Sequence, residues 1–387
     1  MGRDNSINDE LLEAAKYGDM ETLNLILLEI QGPYNIEVKD NGYTALMFAA
    51  MHGHVDVVRA LLDKGADIEA KDDHIKCTAL ICAATNGHNP VVELLLDKGA
   101  DIEAKDDKNQ STSLIWAAHE GRYQVVPTLI DRGADTKAKD IYGFTALMRS
   151  VDKGNIAIVR KILKKDKSNI NDKYNNSLSA FMIAVMSRNI NLKIITLLLD
   201  SGADINTQDL KGETPLMKAV ANKNYDFMKL LLTKGADVNA RDKYNVTALI
   251  HAIVRHDDLT LVQTLLASQN IILDLQCSRG GTALMYASTK KPLEMVKALF
   301  DTKRPIDINI KDNYGRTALF YAAYGGNKEV AEYLITKGAD INIKNKQEET
   351  AFDWANKKGH IDIANILINP KSLEDPTVVS AAKKFKE

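Results

Sequence analysis

Histidine and cysteine come nearest to one another at His74, Cys77, Cys82 and His88, residue types that together would make a zinc site. The step from Cys77 to Cys82 crosses a boundary between a loop and a helix, and no histidine pair of matching spacing follows, so no zinc pattern is completed. His54, His88 and His360 each follow a glycine at the same point of a recurring pattern, while His52, His74, His119, His251 and His256 are scattered. Acidic loops of the type GADIEAKDD suggest calcium, yet they lack the alternating ligands and closing glutamate of a calcium loop. There is no GxxxxGK[ST] phosphate loop, no GxGxxG opening a helix after a strand, no GxSxG and no HExxH. Lys161, Lys164, Lys165 and Lys167 form a basic run that reads as a solvated helix end. The expectation is a protein with no catalytic residues, no metal and no cofactor.

The elements behind these residues are therefore the informative part. At 387 residues the chain exceeds one compact core, so it is several domains or a repeat array. Fifty basic against 52 acidic side chains exert no overall pull on nucleic acid or an anionic membrane. Three scattered cysteines, Cys77, Cys82 and Cys277, do not make a disulfide framework and favour a reducing, intracellular setting. No apolar run is long enough for a leader or a membrane span, and a cytoplasmic location is expected.

A repeat governs almost the whole length. Thr44, Thr78, Thr112, Thr145, Ser179, Thr214, Thr247, Thr282, Thr317 and Thr350 stand 33 to 35 residues apart. Within one period Thr44 is placed to cap a helix whose Ala45, Leu46, Ala49 and Ala50 recur at helical spacing. Gly53 stops it. A second helix starts near Val55, carries Val57, Val58, Leu61 and Leu62 as its apolar stripe, and ends at Gly65 in a left-handed cap. A polar, hairpin-like turn then leads to the next unit.

TALMFAA, TALICAA, SLIWAA, TPLMKA and TALFYAA, with GADIEA, GADVNA and GADINI, resemble the ankyrin repeat family over residues 8 to 369. The resemblance implies an all-α repeat, an ankyrin solenoid of helix-turn-helix units joined by β-hairpin-like loops, with about eleven helix pairs. Residues 1–38 are expected to form an N-terminal capping pair, 39–369 ten repeats, and 370–387 a tail in which Pro376 opens a short helix through Phe385. The family's first-helix histidine is replaced here, as by Met47, Ile81 and Phe320. Arg188, Lys223 and His256 replace the glycine between helices, and the turn after residue 165 lacks Gly-Ala-Asp, so coupling between neighbours is expected to be weakest over 161–190.

The family implies a non-catalytic adaptor that binds a partner protein on its concave face, through loop tips and the outward residues of the first helices. Aromatic side chains suit that task, because they bury much area with few rotors to freeze. One expected cluster is Tyr43, Phe48, Met51, Trp116, His119, Tyr142 and Phe144; the other is Tyr286, Tyr314, Tyr321, Tyr324 and Trp354. The partner is expected to be a protein, with no membrane span, and the chain a monomer. An effector delivered into a host cell by an intracellular bacterium or large virus would use the same surface. Nucleic-acid binding through the lysines near residue 164, or a role as an enzyme's regulatory subunit, is the reading from a different class. The resemblance further implies that Asn206, Asn239, Asn309 and Asn342 are candidates for hydroxylation.

Overall fold

The computed structural model describes residues 2–29, 35–174, 178–187 and 190–368. Arg188 and the tail helix expected between Pro376 and Phe385 lie outside them. The chain forms two compact units, Met1–Asp204 and Ile205–Glu387. Each is a stack of helix pairs. Among the described residues the first unit holds six, from Gly2–Tyr17 with Met20–Asn24 to Ala180–Met186 with Leu192–Asp200. The second holds five, from Pro215–Ala221 with Tyr225–Thr233 to Ala351–Lys358 with Ile361–Ile368.

The repeating threonine starts each first helix as its chemistry requires. Thr44 Oγ1 accepts from Met47 N at 3.3 Å, and Thr78, Thr112, Thr145, Ser179, Thr214, Thr247, Thr282 and Thr350 repeat the bond. Such a cap is worth about 1 kcal/mol. Thr317 alone makes no side-chain cap bond. Small residues then let backbones approach: Ala45, Ala49, Ala50, Ala83, Ala84, Ala322 and Ala323 are fully buried between neighbours. Second helices bury one stripe, Val57, Val58 and Leu61 in Val55–Asp63, each such side chain contributing about 1.5–3 kcal/mol.

The turn between helices interlocks one repeat with the next. Gly53 has φ +83°, which a side chain resists, and a Cβ there would stand 2.5 Å from His88 Nδ1. His88 Nε2 in turn meets Met51 O at 2.8 Å, and His54 Nε2 meets Lys16 O at 3.1 Å. His54 and His88 are thus ties to the preceding repeat. Lys223 takes the glycine's left-handed conformation, φ +52°, whereas His256 leaves it for φ −135°.

A buried aspartate organises the loop before most first helices. Asp140 Oδ1 accepts from Tyr142 N at 2.9 Å and Phe144 N at 2.8 Å, and Asp209, Asp242 and Asp312 do the same two and four residues on. Loop tips are also bonded to each other: Lys243 N donates to Lys211 O, Ser278 N to Tyr244 O, Asn313 N to Arg279 O and Lys346 N to Tyr314 O, at 2.8–3.2 Å. Asn206, Asn239 and Asn309, on the second loop arm, accept from the next repeat's backbone at 2.8–2.9 Å. Extended pairing is sparse among the described residues: Lys39–Asp40 pairs antiparallel with Tyr43–Thr44, and three isolated bridges occur elsewhere.

The first pair has its own form. Its opening helix is Gly2–Tyr17, and its second is a short α-turn, Met20–Asn24, running into a π-helix, Leu25–Glu29.

Candidate protein-binding face

In most repeats the fourth residue after the capping threonine carries a polar end that is tied back to the preceding loop, most often to its acid. Trp116 Nε1 donates to Asp106 Oδ2 at 3.0 Å, and His251 Nε2 meets Asp242 Oδ2 at 3.0 Å. Lys218 Nζ lies 2.7 Å from Asp209 Oδ2, Tyr321 Oη donates to Asp312 Oδ2 at 3.0 Å, and Arg149 pairs with Asp140. Where Cys277 replaces the aspartate, its Sγ meets Tyr286 Oη at 3.3 Å; where Asn345 replaces it, Trp354 Nε1 turns to Glu349 Oε2 at 2.7 Å. One carboxylate therefore shapes the loop with one oxygen and aims the helix side chain with the other.

In the second unit this arrangement collects rings around one cation. Arg316 donates through Nε to Asp312 Oδ2 at 2.7 Å, and its guanidinium lies 4.6 Å from the Tyr314 ring centre, 5.2 Å from Tyr321 and 5.6 Å from Trp354. Tyr286 meets Tyr321 edge-on at 6.1 Å, and Tyr324 meets Trp354 at 5.6 Å. A Cβ at Gly281 would stand 2.7 Å from Tyr286 Oη, so that glycine makes room for the ring. The result is a cavity of about 530 Å³ that all five expected residues of the C-terminal cluster line. Tyr314 and Tyr324 are about half exposed.

Burial, with Cys277 beside it, pushes the Tyr286 phenol up to about 12; burial and Asp312 raise that of Tyr321 further. Both phenols stay neutral. Burial alone would lower the Arg316 pKa, but the bond to Asp312 reverses the sign. Lys357, then Asn345 and Trp354, hold the Glu349 carboxyl down at about 2.

The N-terminal cluster is divided. Tyr43, Met51 and Trp116 line a cavity of about 150 Å³, and Trp116, His119 and Tyr142 a second of about 220 Å³. Phe144 joins neither: its ring packs on Tyr174 at 4.3 Å beneath the Arg149 guanidinium at 4.2 Å. Phe48 is 9% exposed and packs tilted against Tyr43 at 5.8 Å, so most of its area serves the core. Arg316 and Arg279, which lines the aromatic cavity too, were absent from the sequence expectation. The signal was the loop aspartate recurring five or six residues before the threonine.

Among the described residues no three His, Cys, Asp or Glu side chains gather to hold a metal ion. Cys77 and Cys82 are buried, and burial pushes the Cys82 thiol up to about 12 and that of Cys77 higher, leaving both protonated. Lys161 pairs with Asp131 at 3.0 Å. No helix among the described residues is long and apolar enough to cross a membrane.

Comparison with known families yields a model described as "Ankyrin repeats (3 copies)", matching residues 11–106, 104–174, 147–242, 181–277 and 303–378. A second, "Ankyrin repeats (many copies)", matches 265–322. Among curated proteins, Inversin from Danio rerio is 41% identical over 59 residues, which are 15% of this chain and 6% of that protein. The similarity thus spans a small fraction of the relative's length.

Proposed function

The chain belongs to the ankyrin repeat family, whose repeats are generally protein–protein interaction modules, and on that premise we propose that it is a non-catalytic scaffold that docks a partner protein on its loop-tip and first-helix face. The observation that carries this reading is the ring-lined cavity around Arg316. Tyr286, Tyr321 and Trp354 are held in place by bonds to Cys277, Asp312 and Glu349, so their rings lose little freedom when a partner arrives. Tyr314 and Tyr324 present apolar area at the rim. The two N-terminal cavities around Trp116 are a secondary contact area in this reading. Buried, protonated cysteines support a reducing, intracellular setting, and the scaffold works as a monomer.

The test is affinity capture with the full chain, followed by mass spectrometry, comparing the wild type with Tyr314→Ala, Tyr321→Ala and Tyr324→Ala combined. A specific partner held by the wild type should weaken by about 1–3 kcal/mol per decisive ring. A partner retained undiminished by a folded triple variant would place binding elsewhere.

A further inference from the structure

A second, larger cavity of about 1060 Å³ lies in the same unit and shares Arg279 and Tyr286 with the aromatic one. Its apolar surface is unusually open: Leu210 is 67% exposed, Tyr244 70% and Val254 51%. Its charges are sorted by depth. Glu213 and Asp242 lie buried and satisfied, Glu213 by Arg255 at 2.9 Å and by Lys218, Asp242 by His251. Lys211, Lys243 and Arg279, on three successive loop tips, are exposed and have no anionic partner among the described residues.

We propose, building on the scaffold reading above, that this groove takes an extended acidic segment of the partner protein, with its carboxylates on Lys211, Lys243 and Arg279 and its apolar side chains on Leu210, Tyr244 and Val254. Arg255 and Lys218 offset Glu213, and the three exposed cations outnumber Asp242, which His251 hydrogen-bonds without neutralising, so the field that a ligand meets is positive. Backbone bonds from Lys243 N to Lys211 O and from Ser278 N to Tyr244 O keep these tips in a row. Stacked helices are about 10 Å apart, and an extended chain of the polyproline II type advances about 3.1 Å per residue with about three residues per turn, so acids at every third position share one face and match the row. The segment's far end leads past Tyr286 into the ring-lined cavity, where an aromatic or aliphatic residue fits. A nucleic acid is disfavoured, because three free cations on a chain of net charge −2 offer a polyanion little, and Leu210 and Val254 give phosphates nothing.

The test pans a random peptide library on the full chain and measures the selected peptides, and oligouridylate, by fluorescence anisotropy. Peptides rich in Asp or Glu at three-residue spacing are expected. Their affinity should fall at least about tenfold in the combined Lys211→Glu, Lys243→Glu, Arg279→Glu variant and weaken between about 50 and 500 mM salt. These side chains are exposed and unpaired, so the variant should keep the wild-type circular dichroism and melting temperature. Neutral peptides that respond to Tyr314→Ala and Tyr324→Ala but not to charge reversal would overturn the acidic segment while leaving the scaffold reading intact. Selected peptides insensitive to both sets of substitutions, or no selection at all, would overturn the inference and count against this unit as the docking face. Oligouridylate binding tighter than any peptide would replace it with nucleic-acid recognition.

Discussion

Gly325 packs directly onto the backbone of Thr289, one repeat earlier: a Cβ at Gly325 would lie 1.7 Å from Thr289 O and 2.5 Å from its carbonyl carbon. No side chain stands between the helices Ala283–Lys290 and Ala318–Gly325 at that point. Gly325→Ala must therefore push two backbones apart. A loss of about 1–3 kcal/mol is expected in urea unfolding, with amide exchange accelerating first in these two helices. Gly338→Ala, where a Cβ meets nothing within 4 Å, is the control; only its φ of +91° opposes the substitution, at about 1 kcal/mol.

The bond from Tyr321 Oη to Asp312 Oδ2 separates the ring's two roles. Tyr321→Phe keeps the ring and removes the hydroxyl from an acid that retains Arg316 and two backbone donors. It should cost about 1 kcal/mol of stability and leave partner affinity nearly unchanged. Asp312→Ala strips both the loop and the ring of their anchor. A loss of about 3 kcal/mol is expected, and weaker binding with it, read by thermal unfolding and by anisotropy.

His251 gives the molecule a response to mild acid. Burial, then Arg255, lower its pKa below the ordinary 6.5, and the bond to Asp242 and the charge of Glu213 only partly oppose them. The folded state thus binds the proton less well than the unfolded chain. Stability is complete above 6.5 and declines as pH falls through 6.5 toward the depressed folded value. His251→Gln, which keeps a donor for Asp242, should flatten the melting temperature between about pH 7 and 5 relative to the wild type.

The segment after residue 165 is expected to open first within its unit. Its turn lacks the Gly-Ala-Asp of the other repeats, and Asn169 Oδ1 is buried with no hydrogen-bond partner among the described residues. Amides of Ile156–Lys165 and Ala180–Met186 should exchange at least about tenfold faster than those of Ala45–His52 and Val55–Asp63. Equal protection would show that the missing turn is compensated.

The helix pairs were legible because Thr44, Gly53 and Gly65 and their counterparts each perform a local task that few residue types can perform. The C-terminal ring cluster was legible too, since repeat spacing alone brings Tyr286, Tyr321 and Trp354 to equivalent positions. Their real exposure was not. It depends on which loop residue meets the polar end of each ring, and Cys277, Asp312 and Glu349 sit upstream in the preceding loop, where they read as ordinary loop residues. The packing of Phe144 on Tyr174 was not legible, because Tyr174 belongs to the next repeat's loop. Lys211, Lys243 and Arg279 gave no signal at all: an unpaired surface cation differs from a paired one only in what surrounds it.

The bonds between loop tips run from one period to the next, Lys211 to Lys243, Tyr244 to Ser278, Arg279 to Asn313 and Tyr314 to Lys346. A deletion or duplication of one complete period rejoins these partners, whereas a change of a few residues strands a carbonyl and an amide on every strut it touches. The gene can therefore lengthen or shorten this protein only in whole steps, and each step shifts the row of tip side chains by one place, giving a new binding sequence from an old framework.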